Sequence, residues 1–146
     1  MECVLLIGIP ASGKSTFCAR RFADTHVRLN LDMLRTRHRE AEFLATCLRV
    51  QMPFVVDNTN VSVAERARFV APARAARFRV IGYYLASKVD ECLARNAARS
   101  GEACVPDVAV RDMARRLELP TRAEGFDALH YVRMAAGEFV VEDWRE

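Results

Sequence analysis

A chain of 146 residues, 51% apolar and 28% charged, has the composition of a globular domain with length for one substantial core and not two. A net charge of +3 is too mild for a dedicated nucleic-acid binder, and no apolar run approaches the roughly 20 residues that cross a bilayer. Five scattered cysteines, Cys3, Cys18, Cys47, Cys92 and Cys104, contain no C-x-x-C pair and argue against a disulfide framework, a disulfide-linked partner or a zinc site. With no basic segment ahead of the first apolar run, the expectation is one cytoplasmic domain, residues 1–146.

Residues 3–7, CVLLI, read as a buried strand, and residues 14–23 as the helix after it. A short second strand is predicted over 26–29, and an interrupted amphipathic helix over 31–50 from the apolar spacing of Leu31, Leu34, Leu44, Cys47 and Leu48. Pro53 introduces a third strand ending at Asp57; Ser62 and Glu65 form a capping box that opens a helix to about residue 77. A fourth strand covers 79–85, and helices follow over 87–99 and 107–119, the second stopped before Pro120. Residues 129–134 and 138–141 flank the turn Ala135-Ala136-Gly137 as a hairpin. Strands alternating with helices through short loops imply a parallel sheet with helices on both faces, a three-layer α/β architecture.

Between the first strand and helix, GIPASGKST fits G-x-x-x-x-G-K-[ST] at Gly8, Gly13, Lys14 and Ser15. The strand before it and the helix after it are the context in which such a loop aims backbone N–H groups at phosphates. The fold class is therefore a P-loop NTPase fold, and the expected ligands are ATP and Mg²⁺. The cofactor-binding set is Gly8, Ala11, Ser12, Gly13, Lys14, Ser15 and Thr16, with Lys14 bridging the β- and γ-phosphates and Ser15 on the metal. All 22 basic residues are Arg save Lys14 and Lys88, a bias that genome composition explains; a rare Lys nonetheless stands in the loop. Asp57, at a strand end beside this loop, is placed to serve the metal, or else to cap the turn DNTN.

In VRLNLDMLR, Asp32 lies just past the second strand. Transfer to an alcohol gains from a carboxylate that takes the hydroxyl proton, and Asp32 is the candidate; helix N-capping by Asn30 or Asp32 is the competing reading. Arg35 would share its helical face with Asp32 and could hold an acceptor phosphate. Arg95 and Arg99, four apart, would deliver two guanidinium groups to the γ-phosphate from a helical lid over residues 95–106, unless they are simply exposed surface.

Taken in order, GIPASGKSTF, LNLDMLR, VVDNTNVSVAERARF, RNAARSGEACVPDVAVRDM and LPTRAEGFDAL resemble the kinase domain of the polynucleotide 5′-hydroxyl kinases, known from phage enzymes and polynucleotide kinase-phosphatases. The resemblance spans residues 3–129 and is most specific at DNTN, with Arg66 and Arg68 beyond it, and at R-N-x-x-R. It implies an ATP-dependent kinase acting on the 5′-OH end of DNA or RNA. Lys14, Asp32 and Arg99 would be catalytic, Asp32 as general base; Arg95 and Arg99 would form the lid; Asp32, Arg35 and Asp57 would face the substrate; and Ser15 with Asp57 would serve Mg²⁺. By the same resemblance the lid and residues 119–125 are candidates for the adenine. Two departures stand out: Leu31 occupies the place where the family often has Arg, and no D-x-D-G-T phosphatase signature is present. A P-loop kinase for a small-molecule hydroxyl (a sugar, nucleoside or antibiotic) and a nucleotide-dependent switch are the rival expectations.

Overall fold

The computed structural model describes residues 1–101 and 104–146. Its centre is a six-stranded sheet in the order β2-β3-β1-β4-β5-β6, with β1 at Glu2–Ile7, β2 at Val27–Leu29, β3 at Phe54–Val56, β4 at Arg79–Leu85, β5 at Ala128–Ala135 and β6 at Glu138–Asp143. The first five strands run parallel, with Leu5 opposite Val56 on one side and Gly82 on the other. At the edge β6 returns antiparallel along β5, as the hairpin expected over 129–141 requires. Ala136 and Gly137 both take positive φ, 52° and 78°, as a two-residue hairpin turn requires.

Period-two alternation explains why β1 is apolar throughout. Val4 and Leu6 pack with Phe17, Cys18 and Phe22 of helix α1, Lys14–Phe22, on one face. Cys3, Leu5 and Ile7 point the other way, towards Leu44 and Cys47 of α3, Arg37–Val50, and Phe69, Val70 and Ala73 of α4, Val63–Ala75. Helices α5, Val89–Ala97, and α6, Asp107–Arg116, pack over the carboxyl end of the sheet, where Cys92 and Val110 meet Ile9, Ala11 and Val61.

The interruption expected in 31–50 has a definite place. Helix α2 spans only Leu31–Leu34; Arg35 follows at φ 77°, ψ −36°, and Thr36 restarts the chain as α3 by accepting from the Arg39 N–H at 3.1 Å. The predicted capping box at Ser62 is half made: Ser62 Oγ accepts from the Glu65 N–H, whereas Glu65 reaches back to the Val61 N–H and not to Ser62. A complete box forms instead at Thr121 and Glu124, on the short 3-10 turn Arg122–Glu124. Helix α6 ends at Arg116, three residues before its predicted end at 119.

Candidate active site

The loop after β1 is built to receive something. Gly13 caps α1 at φ 99° and Ala11 also sits at positive φ, 64°, so successive N–H groups turn inwards. No side chain caps the first turn of α1, leaving its N–H groups to an external acceptor. Neighbouring elements hold the base of the loop: the Gly8 N–H donates to Thr59 O at 3.0 Å and the Ile9 N–H to Ser87 Oγ at 3.3 Å. Ser87, expected to open the α5 helix, therefore serves the loop, and α5 begins at Val89 without a side-chain cap. A Cβ on Gly8 would lie 2.6 Å from Ser12 Oγ, so a side chain here would force Ser12 to move. These features fit the phosphates of a nucleotide.

Lys14 folds back into the loop, its Nζ donating to Ile9 O at 3.0 Å and to Ser12 Oγ at 3.5 Å. Burial pushes its ammonium down from 10.5 to about 8. The Asp57 carboxylate opposes that shift most strongly, Arg99 adds to it, and Cys92 and Asp32 oppose it in turn. Asp57, Arg99 and Asp32 thus all act on one ammonium group, although 67 residues separate Asp32 from Arg99 in the chain.

Asp57 sits at the carboxyl end of β3 with 1% of its side chain exposed. Its Oδ2 accepts from Ser15 Oγ at 3.1 Å and from Arg28 Nε at 2.9 Å and Nη2 at 2.8 Å. Its Oδ1 is buried with no hydrogen-bond partner among the described residues. The turn-capping reading of Asp57 is thereby replaced: the carboxylate faces α1 and β2, not its own turn. A buried carboxylate with one vacant oxygen beside a hydroxyl suits a divalent cation. Among the described residues no group of three His, Cys, Asp or Glu side chains could hold a metal ion.

Asp32 occupies the first turn of α2, exposed, just beyond β2. The N-cap is Asn30, whose Oδ1 accepts from the Met33 N–H at 2.9 Å, so Asp32 is not spent on capping. Asn30 Nδ2 also donates to Asp57 O at 2.6 Å, and Asn58 Oδ1 accepts from the Leu31 N–H at 2.9 Å. Asn58 is gripped in turn by the buried Glu40, which pairs with Arg37 at 2.8 Å. Two asparagines therefore tie the head of α2 to the end of β3. Arg35 does not continue the helical face of Asp32 as expected, because its positive φ takes the chain out of α2 after Leu34.

The predicted lid lies partly outside the described residues, at 102–103. Arg95 is on α5 and donates from Nε to Ala11 O at 2.7 Å, bringing it onto the phosphate loop. Arg99 lies beyond the last turn of α5, so the two do not share one continuous helical face. Asn96 fastens the far side, exchanging hydrogen bonds with the Val105 backbone at 2.6 and 3.0 Å.

Of residues 119–125, the adenine candidates, Glu124 holds Arg66 of α4 at 2.7 and 3.0 Å, and Gly125 O accepts from Arg74. Next to the loop, a recess of about 220 Å³ is walled by Ser12, Lys88, Glu91, Arg95, Met134 and Phe139, much of it from the β5–β6 hairpin. The hairpin itself was legible in the sequence, but neither its place beside the loop nor the role of Arg28 was. Arg28 is one arginine among many, and only strand order brings either feature to the loop.

The AAA_33 family model, described as an AAA domain, matches residues 3–120. The bifunctional polynucleotide phosphatase/kinase of Schizosaccharomyces pombe is 27% identical over 129 residues, which is 86% of this chain but 32% of that protein; the chain spans about a third of that relative's length. Among solved structures, a sugar kinase from Janibacter sp. superposes with a TM-score of 0.70 at 14% identity, covering 91% of this chain and 85% of that one. Chaetomium thermophilum Kti12 in complex with ADP-AlF3 superposes at 0.67 and 15%, covering 90% and 88%. A gluconokinase from Sinorhizobium meliloti gives 0.63 and 18%, covering 92% and 83%. These likenesses are of fold alone. By the match over residues 3–120 and the loop that opens it, the chain belongs to the AAA_33 family of P-loop domains.

Proposed function

We propose that this chain is an ATP-dependent kinase that phosphorylates the 5′-hydroxyl end of DNA or RNA. The observation that carries this reading is the convergence on Lys14: a carboxylate from the head of α2, another from the end of β3 and a guanidinium from beyond α5 all act on the one ammonium in the phosphate loop. A general base on one side of a transferring phosphoryl group and cationic charge on the other are what in-line transfer to an alcohol needs.

In this reading the N–H groups of 13–16 and the Lys14 ammonium bind the phosphates, while Ser15 and Asp57 hold Mg²⁺, which supplies charge neutralisation between them. Asp32 takes the proton of the acceptor hydroxyl at a carboxylate oxygen. Arg95 and Arg99 close over the loop and exclude water; Arg35 meets a phosphate of the acceptor strand. The recess at the β5–β6 hairpin takes the nucleoside of the donor. Support for a polynucleotide acceptor comes from the fission-yeast phosphatase/kinase relative and from Arg35, exposed three residues after Asp32 in the chain.

Leu31 favours a second reading. Half-buried where a basic substrate contact would help a nucleic-acid kinase, it suits a small-molecule hydroxyl better, and sugar kinases share the fold. Labelled ATP offered to 5′-OH DNA and RNA oligonucleotides beside a panel of sugars and nucleosides decides between them. Labelled oligonucleotide with Mg²⁺, abolished by Asp32→Asn with turnover down about 10²-fold or more and ATP affinity kept, is the expected result. Product on the small alcohols alone would overturn the polynucleotide assignment.

A further inference from the structure

Arginine usually grips a carboxylate with two nitrogens on two oxygens. Arg28 does otherwise: Nε and Nη2 both converge on Asp57 Oδ2, at 2.9 and 2.8 Å, beside Ser15 Oγ at 3.1 Å on the same atom. Three donors crowd one oxygen while the other, buried, has none among the described residues. The carboxylate is 1% exposed and would be costly to leave uncompensated, so it calls for a cation close by. Lys14 acts on it through space but gives its hydrogen bonds to Ile9 O and Ser12 Oγ. Arg28 supplies that charge.

The guanidinium reaches solvent. It comes from edge strand β2, 40% of its side chain is exposed, and Asp57 is its single carboxylate partner among the described residues. It borders a groove of about 480 Å³ between α1 and β2, walled by Cys18, Ala19, Phe22, Ala23 and Val55. That groove has room for an arginine stem, whose methylenes suit apolar walls while the head stays wet.

We propose that Arg28 is a place-holding cation: it neutralises Asp57 until a divalent metal reaches Ser15 and Asp57, then withdraws into the α1–β2 groove, and by competing for the carboxylate it weakens metal binding in the absence of nucleotide phosphates. The inference rests on the reading of Ser15 and Asp57 as metal ligands and adds a competitor to it. It makes the site selective for metal that arrives with nucleotide, because phosphate charge tips the exchange that the metal alone does not win.

The test is a Mn²⁺ titration followed by electron paramagnetic resonance, with and without ADP, on the wild type, Arg28→Gln, Arg28→Lys and Asp57→Asn. Arg28→Gln should bind Mn²⁺ alone about tenfold more tightly than the wild type, the scale on which outer partners tune a metal site. The gain should shrink when ADP is present. Its metal-free melting temperature should fall by about 5 °C and be recovered by Mn²⁺. Arg28→Lys, which keeps the charge and loses the fork, should lie between and serves if the glutamine variant folds poorly. Asp57→Asn should lose Mn²⁺ binding. Unchanged or weaker Mn²⁺ affinity in both Arg28 variants, beside a normal loss in Asp57→Asn, overturns the place-holder alone; undiminished Mn²⁺ affinity in Asp57→Asn overturns the metal site and the place-holder together.

Discussion

The buried ammonium of Lys14 gives the most quantitative prediction. Its proton is lost near pH 8 in the folded protein against 10.5 in the unfolded chain. Between those values the unfolded chain binds more protons, so stability rises with pH across the window; below pH 8 the folded state carries the full penalty. A shift of that size corresponds to about 3 kcal/mol, at roughly 1.4 kcal/mol for each pH unit. Lys14→Met removes the charge and forfeits the bonds to Ile9 O and Ser12 Oγ, each worth about 1 kcal/mol net. The variant should therefore be more stable than the wild type by about 1 kcal/mol at pH 7, and the difference should reverse towards pH 10. Urea unfolding followed by the fluorescence of Trp144, the one tryptophan, measures it, and other groups titrating above pH 8 cancel in the comparison. Phosphates favour the charged lysine, so ADP affinity of the wild type should fall as pH climbs past about 8, approaching tenfold per unit. Parallel stability profiles for the two proteins, or ADP affinity flat from pH 7 to 9.5, would refute the reasoning.

Two further outcomes are expected. Arg66 is fully buried against Glu124 and also donates to Asn60 O at 2.8 Å; Arg66→Met strands the carboxylate and should cost about 3–5 kcal/mol, whereas adding Glu124→Leu should restore much of it, both read by calorimetry. Gly8→Ala places a Cβ 2.6 Å from Ser12 Oγ and 3.3 Å from Ser87 Oγ; the displaced loop should lose at least about tenfold in ADP affinity by equilibrium dialysis while the far-ultraviolet circular dichroism stays that of the wild type.

The order of elements was legible because its signals act over a few residues. Alternation along CVLLI, the glycines around Ala11 and Ser12, Ser62 ahead of α4 and Gly137 in the hairpin each constrain backbone a turn away, and all lie in the elements they announce. Element ends were less legible. The spacing announced an interruption in 31–50 but not its place, which is a positive φ at Arg35, a residue with no preference for it. Ser87 shows how a correct local rule can fail: a serine before a helix is a good cap, yet its hydroxyl is taken by the loop after β1, 78 residues earlier in the chain.

The amino-acid sequence alone determined the phosphate loop, because strand, glycine turn, lysine and helix start are contiguous and their conformations follow from local sterics. It also set out two carboxylates, Asp32 and Asp57, at strand ends, where parallel sheets gather their ligands. Only the tertiary structure decided what those groups face: Arg28 on Asp57, Arg95 on Ala11 O and Arg66 on Glu124 join residues 29, 84 and 58 apart. Each pairing depends on strand order and helix packing, and in a chain so rich in arginine no local pattern distinguishes the guanidinium that will meet a buried carboxylate from those that will meet water.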